Sequence, residues 1–217
     1  MTIANEQENV AQALGKTLGA KALTVLQAAR KVFLAHGFSN ATTDMIQREA
    51  GVSKSTVYAH FANKETLFSA VVQTECFSTS TSMRTIRYKP GQLRDVLHEV
   101  ANVYLNVVLS KSGAALARMV IAEVERFPNL GKIFYESGPR ASIKVVANIM
   151  GSANEAGDLE LGSLTSEEAA RIFIGSVRSE LQLYYLTHPD DMPTKAQKDQ
   201  WITFIVDTFT RAYGKAA

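Results

Sequence analysis

Gly51 separates two short helical patterns, and the stretch around it, Thr42 to Phe61, limits the fold more than any other part of the chain. On its N-terminal side, Ile46 and Ala50 form an i, i+4 apolar pair. Thr42 or Thr43 stands where a helix cap belongs, and Asp44 falls in the first turn, where a negative charge suits the helix dipole. A glycine directly after the last helical residue takes the left-handed conformation at least cost. Val52 can then plug the inside of the turn. Ser53 can cap a second helix whose inward residues are Val57 and Phe61. Lys54, Ser55, Thr56, Tyr58, Ala59 and His60 are left facing outward, a face with one charge, several hydroxyls and no carboxylate. A helix lying in a DNA groove presents such a face, so the spacing predicts a helix-turn-helix with the second helix as the reader.

The flanking sequence extends this unit. Lys21–His36 is amphipathic, with Val25, Leu26, Ala29, Val32 and Phe33 at helical spacing, and Gly37 ends it. It supplies the first helix of a three-helix head, with Phe38 sealing a small core. After Phe61, Asn63 is the predicted cap of a long helix running to about Met83. Lys64 stands at its start, where free N–H groups and the dipole favour phosphate. Pro90-Gly91 breaks the chain. Beyond it no strand-length alternation occurs. Helical stripes run over Leu93–Val108, Ala114–Arg126, Asn129 or Gly131 to about Ala156, Ser166–Thr187 and Thr194–Tyr213. Pro139 predicts a kink or short break near Glu136–Pro139. The expected fold is all-α: a flexible arm over 1–20, a helix-turn-helix head over 21–65 and a helical-bundle body over 66–217.

Charge is uneven along the chain. From Ala11 to Lys64 there are seven Lys or Arg against two acids, a net +5, which leaves −3 for the rest of a chain of +2 overall. A basic head on a mildly acidic body is the asymmetry expected of a head that meets phosphates; clustering on a solvated face is the plainer reading. The single cysteine, Cys76, excludes an internal disulfide and fits a reducing compartment, as buried filler or as an oxidant sensor. His36, His60, His98 and His188 lack metal-ligand spacing. No nucleophile–base pair, metal set or phosphate loop is present, so neither an enzyme nor a cofactor is expected. No apolar run approaches the ~18 residues that span a membrane, and with no signal peptide the expected location is cytoplasmic.

From Val25 to Phe68 the chain resembles the TetR family of one-component transcriptional regulators. The resemblance rests on Phe33…His36-Gly37-Phe38, on Thr42-Thr43…Ile46…Ala50-Gly51-Val52-Ser53-Lys54-Ser55-Thr56-Val57-Tyr58…Phe61, and on Asn63-Lys64-Glu65…Leu67-Phe68. It implies a dimer through the last two helices and a ligand pocket in the body. Carried over by position, Lys54, Ser55 and Thr56 face DNA at the start of the reader helix. Tyr58 and His60 donate to backbone phosphates and Lys64 clamps another. Thr42 or Thr43 presents a hydroxyl and a helix N-terminus. Gln47 departs from the family pattern, which has a small residue four before the turn glycine; either it reaches out past the neighbouring helix or the two helices sit apart.

Adaptable Met and aromatic residues of the body suit a pocket for a small hydrophobic or aromatic ligand, and Phe77, Tyr104, Met119, Phe127, Phe134 and Tyr135 are its candidates; plain core is the alternative for each. In the last two helices, Phe173, Val177, Leu181, Tyr184, Phe204 and Ile205 leave more apolar surface than one subunit needs. They are candidates for a four-helix dimer seam, with the body core as the alternative. The expected function is a homodimeric repressor released from a palindromic double-stranded DNA operator by a small molecule. A transcriptional activator of the same architecture and a DNA-organising protein without ligand are the rival readings.

Overall fold

Ten α-helices, one π-helical turn and one isolated bridge between Leu159 and Gly214 make up the regular structure of residues 19–215, the part of the chain this computed structural model describes, the side chains of 77–82 excepted. The helices are α1 (Ala20–Asn40), α2 (Thr43–Ala50), α3 (Lys54–His60), α4 (Lys64–Thr85), α5 (Leu93–Val108), α6 (Lys111–Glu123), α7 (Pro128–Tyr135), α8 (Ala141–Glu155), α9 (Ser166–Thr187) and α10 (Lys195–Tyr213). The π turn, Glu136–Arg140, contains Pro139 and is the break the proline predicts. The expected N-terminal arm lies outside the described residues save for its last two positions.

Two compact units share these helices. One consists of residues up to Ser78 with Ala115–Gly138, the other of Thr79–Ala114 with Pro139–Ala217. The expected division between 65 and 66 falls inside α4, whose N-terminal part belongs to the core of the first unit.

In the first unit, Gly37 (φ 75°, ψ 169°) interrupts the regular course of α1, as its place in the sequence predicts. Phe38, directly beyond it, is fully buried against Phe33 and Phe68, with ring centroids 5.7 and 5.1 Å away, and Phe127 closes on it at 4.8 Å. The Phe33–Phe38 pair is stacked and the other two are edge-to-face, and aromatic pairs of these kinds add about 0.5–1.5 kcal/mol each beyond the area they bury. Ile46 of α2 and Val57 of α3 reach the same core.

In the second unit, α5 buries Leu93, Val96, Leu97, Val100, Ala101, Tyr104 and Leu105, a stripe at helical period. Reciprocal capping boxes open α9 (Thr165 with Glu168) and α10 (Thr194 with Gln197). The backbone leaves helical geometry at Ser179 within α9 (φ 11°, ψ −133°). Trp201 Nε1 donates to the Val177 carbonyl at 2.8 Å, two residues upstream, and a side chain reaching into the backbone ladder is one established source of kinks.

Candidate nucleic-acid interface and ligand cleft

The turn between α2 and α3 is built as the sequence requires. Thr42, rather than Thr43, caps α2, its side chain accepting from the Met45 N–H at 3.2 Å. Gly51 is left-handed (φ 64°, ψ 32°). The Gly51 N–H donates to the Arg48 carbonyl and the Val52 N–H to that of Gln47, so orphan carbonyls at the end of α2 are satisfied. Ser53 caps α3 through the Thr56 N–H at 3.2 Å. Val57 and Phe61 point into the core, while Lys54, Ser55, Tyr58 and His60 are exposed and Thr56 is half-buried.

The predicted DNA-facing side chains form a small network. The Tyr58 hydroxyl, on a side chain from a residue 45% exposed, lies 3.3 Å from the Thr43 hydroxyl, so these two groups from different helices stand together. The Ser53 hydroxyl sits 2.8 Å from both the Ser55 and the Thr56 hydroxyls. Lys54 pairs with Asp44 at 2.8 Å. The hydrogen bond and charge of Lys54 hold the Asp44 carboxyl below its ordinary range, and Asp44 raises the Lys54 ammonium in return. The face therefore includes a carboxylate that a reading of α3 alone leaves out.

Lys64 is placed otherwise than expected. Its ammonium turns inward and donates to the carbonyls of Phe38 (2.9 Å), Ser39 (3.3 Å) and Ala41 (3.1 Å), 4.6 Å above the Phe38 ring. An ammonium has three donors, and these carbonyls take them all, so it ties the α1–α2 connection to α4 instead of standing free for a phosphate. Glu123 of α6 completes the junction by accepting from the Ser39 N–H (2.7 Å) and hydroxyl (2.5 Å). Burial alone pushes the Glu123 carboxyl up. The two bonds from Ser39, with the charges of Arg126 and Lys64, outweigh it and bring the group below its ordinary range. Gln47 does not reach solvent through its oxygen: Oε1 is buried and accepts no hydrogen bond, a state that costs about 1–3 kcal/mol.

The six candidate ligand residues fall in both units. Tyr104 is part of the second unit's core. Met119 is buried in the first unit's core, Phe127 and Phe134 pack against that core, and Tyr135 is exposed. The Phe77 side chain lies outside the described residues. None of the other five lines the cleft of ≈ 530 Å³ in the second unit, between residues 84–88 at the end of α4 and α8. That cleft has Arg84, Arg87 and Lys144 on it, with Ile86, Val145 and Ile149 as apolar surface. Cys76 is buried and its thiol is pushed up to about 12 by burial and then by the Glu75 charge, which disfavours the reactive thiolate.

The dimer candidates need correction. Phe173, Val177 and Ile205 are buried inside their own subunit, so their apolar surface is already covered. Leu181 is half-buried. Tyr184 and Phe204 remain exposed, Phe204 at 57%, and so does Ile172, another apolar residue that helical spacing in the sequence points to; Leu183 (64%), which spacing did not single out, joins them.

Comparison with known proteins bears on both units. Residues 25–71 match the model for bacterial regulatory proteins of the tetR family, and residues 95–215 match that of the AefR-like transcriptional repressor, C-terminal domain. Among solved structures the chain is similar to the flavonoid-responsive regulator FrrA, at 34% identity and a TM-score of 0.73, over 91% of this chain and 98% of that one. It is similar also to a TetR transcriptional regulator from Agrobacterium tumefaciens, at 25% identity and a TM-score of 0.72, over 88% and 93% of the two chains. The HTH-type transcriptional regulator SrpR of Pseudomonas putida is 46% identical over 48 residues, 22% of either chain, so this curated relative is matched over about a fifth of its length.

Proposed function

We propose that this chain, which belongs to the TetR family of transcriptional regulators, is a homodimeric repressor that a small molecule releases from a palindromic operator. Membership of the family makes it a DNA-binding regulator of transcription and not an enzyme. The observation that carries the reading is the division of α3: Val57 and Phe61 are buried in the head, while Lys54, Ser55, Tyr58 and His60 face solvent beside the Thr43 hydroxyl. Two such helices in successive major grooves, about 34–36 Å apart, would read a two-fold operator. Lys54, Ser55 and Thr56 would meet base edges or phosphates at the helix start, and Tyr58, His60, Thr42 and Thr43 the backbone. Lys64 would act indirectly, by holding the α1–α2 connection in place.

The dimer reading is supported by Ile172, Leu183, Tyr184 and Phe204, large apolar side chains that α9 and α10 leave uncovered. Repression is supported by the description of the family matched from 95 to 215, and response to an aromatic ligand by the name of FrrA. Such a ligand must bind the non-operator state more tightly, or it shifts nothing. No single helix among the described residues is long and apolar enough to cross a membrane, and action on cytoplasmic DNA fits this. The test is a fluorescence-anisotropy titration of the full chain on DNA from upstream of its own coding sequence, with and without candidate aromatic compounds, and a transcription reporter from the same DNA. The reading expects a specific complex, dissolved by a ligand, and a reporter that rises when the protein is removed. A reporter that falls instead would make the protein an activator. Equal affinity for random duplex would make it a DNA-organising protein.

A further inference from the structure

We propose that the cleft between the end of α4 and α8 binds an apolar organic anion, with Arg84, Arg87 and Lys144 holding the charge and Ile86, Val145 and Ile149 receiving the apolar body. The proposal gives the chemical class of ligand for the ligand-responsive reading above and rests on it.

Three observations carry it. First, the cations have no acidic partner: neither Arg84 nor Lys144 forms an ion pair among the described residues, and Arg87 donates to the carbonyls of Arg84 and Ile86, which leaves its charge uncompensated. Capping a helix C-terminus accounts for Arg87, but not for Lys144, which comes from another helix. Second, the carboxylate that Tyr88 of the cleft contacts has partners of its own. Asp158 accepts from the Tyr88 hydroxyl and from the Gly91 N–H at 2.5 Å. The Tyr88 phenol, pushed up to about 12 by burial and by its bond to Asp158, stays protonated and keeps that contact throughout the neutral range. Third, the cleft is amphipathic. Lys144, Asn148 and Ser152 recur every four residues along α8 as a polar ridge, and Val145 and Ile149 make a parallel apolar row. Ile86 and Ile149 are buried beneath the exposed cations. A volume of ≈ 530 Å³ lies within the range of sites for small organic ligands. Inorganic phosphate has no use for the apolar row, and a neutral ligand has none for the cations.

The experiment uses two fluorescent probes of similar shape, the anion 8-anilinonaphthalene-1-sulfonate and the neutral N-phenyl-1-naphthylamine, titrated onto the full chain. In the double variant Arg84→Ala/Lys144→Ala the anion should bind about tenfold more weakly, the scale of losing charge-assisted hydrogen bonds. The neutral probe should change by less than about twofold. Arg84→Lys/Lys144→Arg, which keeps the charge, should retain anion affinity within about threefold. These positions are exposed, and an unchanged circular-dichroism melt confirms that each variant is folded. Equal affinity of native and double-variant protein for the anion would overturn the proposal, as would parallel loss of both probes or full displacement by inorganic phosphate. If the anion binds through the cleft and operator DNA is not released, the cleft stands and the ligand-responsive reading falls. If a neutral aromatic compound releases DNA equally from native and double-variant protein while neither binds the anion, the cleft falls and ligand response stands.

Discussion

The helix-turn-helix in the first unit and the cleft in the second handle positive charge in opposite ways. In the first, the cations around the helix-turn-helix have acceptors within the fold: Lys54 has Asp44, Lys31 has Glu49, Arg30 has Glu75, and Lys64 has three backbone carbonyls. At the second, Arg84 and Lys144 form no ion pair among the described residues, although the sequence outside Ala11–Lys64 sums to −3. Net charge counts groups and says nothing of what each already holds. The head's outward face is consequently richer in hydroxyls and a phenol than in free ammonium groups. On the proposed reading, its contribution to DNA affinity would depend on placing Thr43, Ser55, Thr56 and Tyr58 correctly, with the internally bonded cations helping to place them.

The largest test of that contrast is to disturb the packing beneath the head. Phe38→Ala removes a ring that touches Phe33, Phe68, Phe127 and the Lys64 ammonium. It should destabilise the protein by about 3–5 kcal/mol in urea unfolding. A loss below about 1 kcal/mol would mean that the aromatic cluster does not hold the head together. Lys64→Ala comes next. Three backbone carbonyls lose their donor, so stability should fall by about 1–3 kcal/mol. The salt dependence of DNA binding should stay as it is. A salt slope lowered by about one, with unchanged stability, would return Lys64 to the phosphate contact that its position in the sequence suggests.

Glu123→Gln tests the other side of the same junction. The Glu123 carboxyl lies below its ordinary value of 4.5 in the folded protein, so its contribution is fully present above that pH and is lost as pH falls through the lower folded value. Native protein should exceed Glu123→Gln in stability by about 1 kcal/mol at neutral pH, and the gap should close on acidification. A gap that widens in acid would show that the charge of Glu123 is not what Ser39 recognises. The smallest effect is expected of Asp44→Asn, which frees Lys54. Affinity for DNA of any sequence should rise by about two- to fivefold in anisotropy titrations. A fall would show that Asp44 positions Lys54 productively.

The helix-turn-helix is legible in the sequence because each of its determinants acts over a few residues: the caps Thr42 and Ser53, the left-handed Gly51, the i, i+4 pairs. Gln47 is legible for the same reason, since it breaks a local pattern, and its buried oxygen has no partner. What escapes the sequence is pairing over distance. Lys64 finds carbonyls 23 to 26 residues away, Glu123 reaches Ser39 across 84 positions, and the cleft joins Arg84 to Lys144. Helical periodicity tells which face is apolar but not what covers it. Phe173 and Val177 therefore look like interface residues until α9 is seen to bury them, while Leu183 and Phe204 remain open.

The central claim is that the outward face of α3 reads DNA through placed hydroxyls. It is tested most directly by anisotropy titration of the native chain and the double variant Ser55→Ala/Tyr58→Phe on DNA from upstream of the chain's own coding sequence and on random duplex. The account predicts that the native chain prefers its own upstream DNA. The double variant should lose about tenfold in affinity for that DNA while melting at the native temperature, since both hydroxyls point away from the core. Equal binding of native and double-variant protein to the upstream DNA would contradict it.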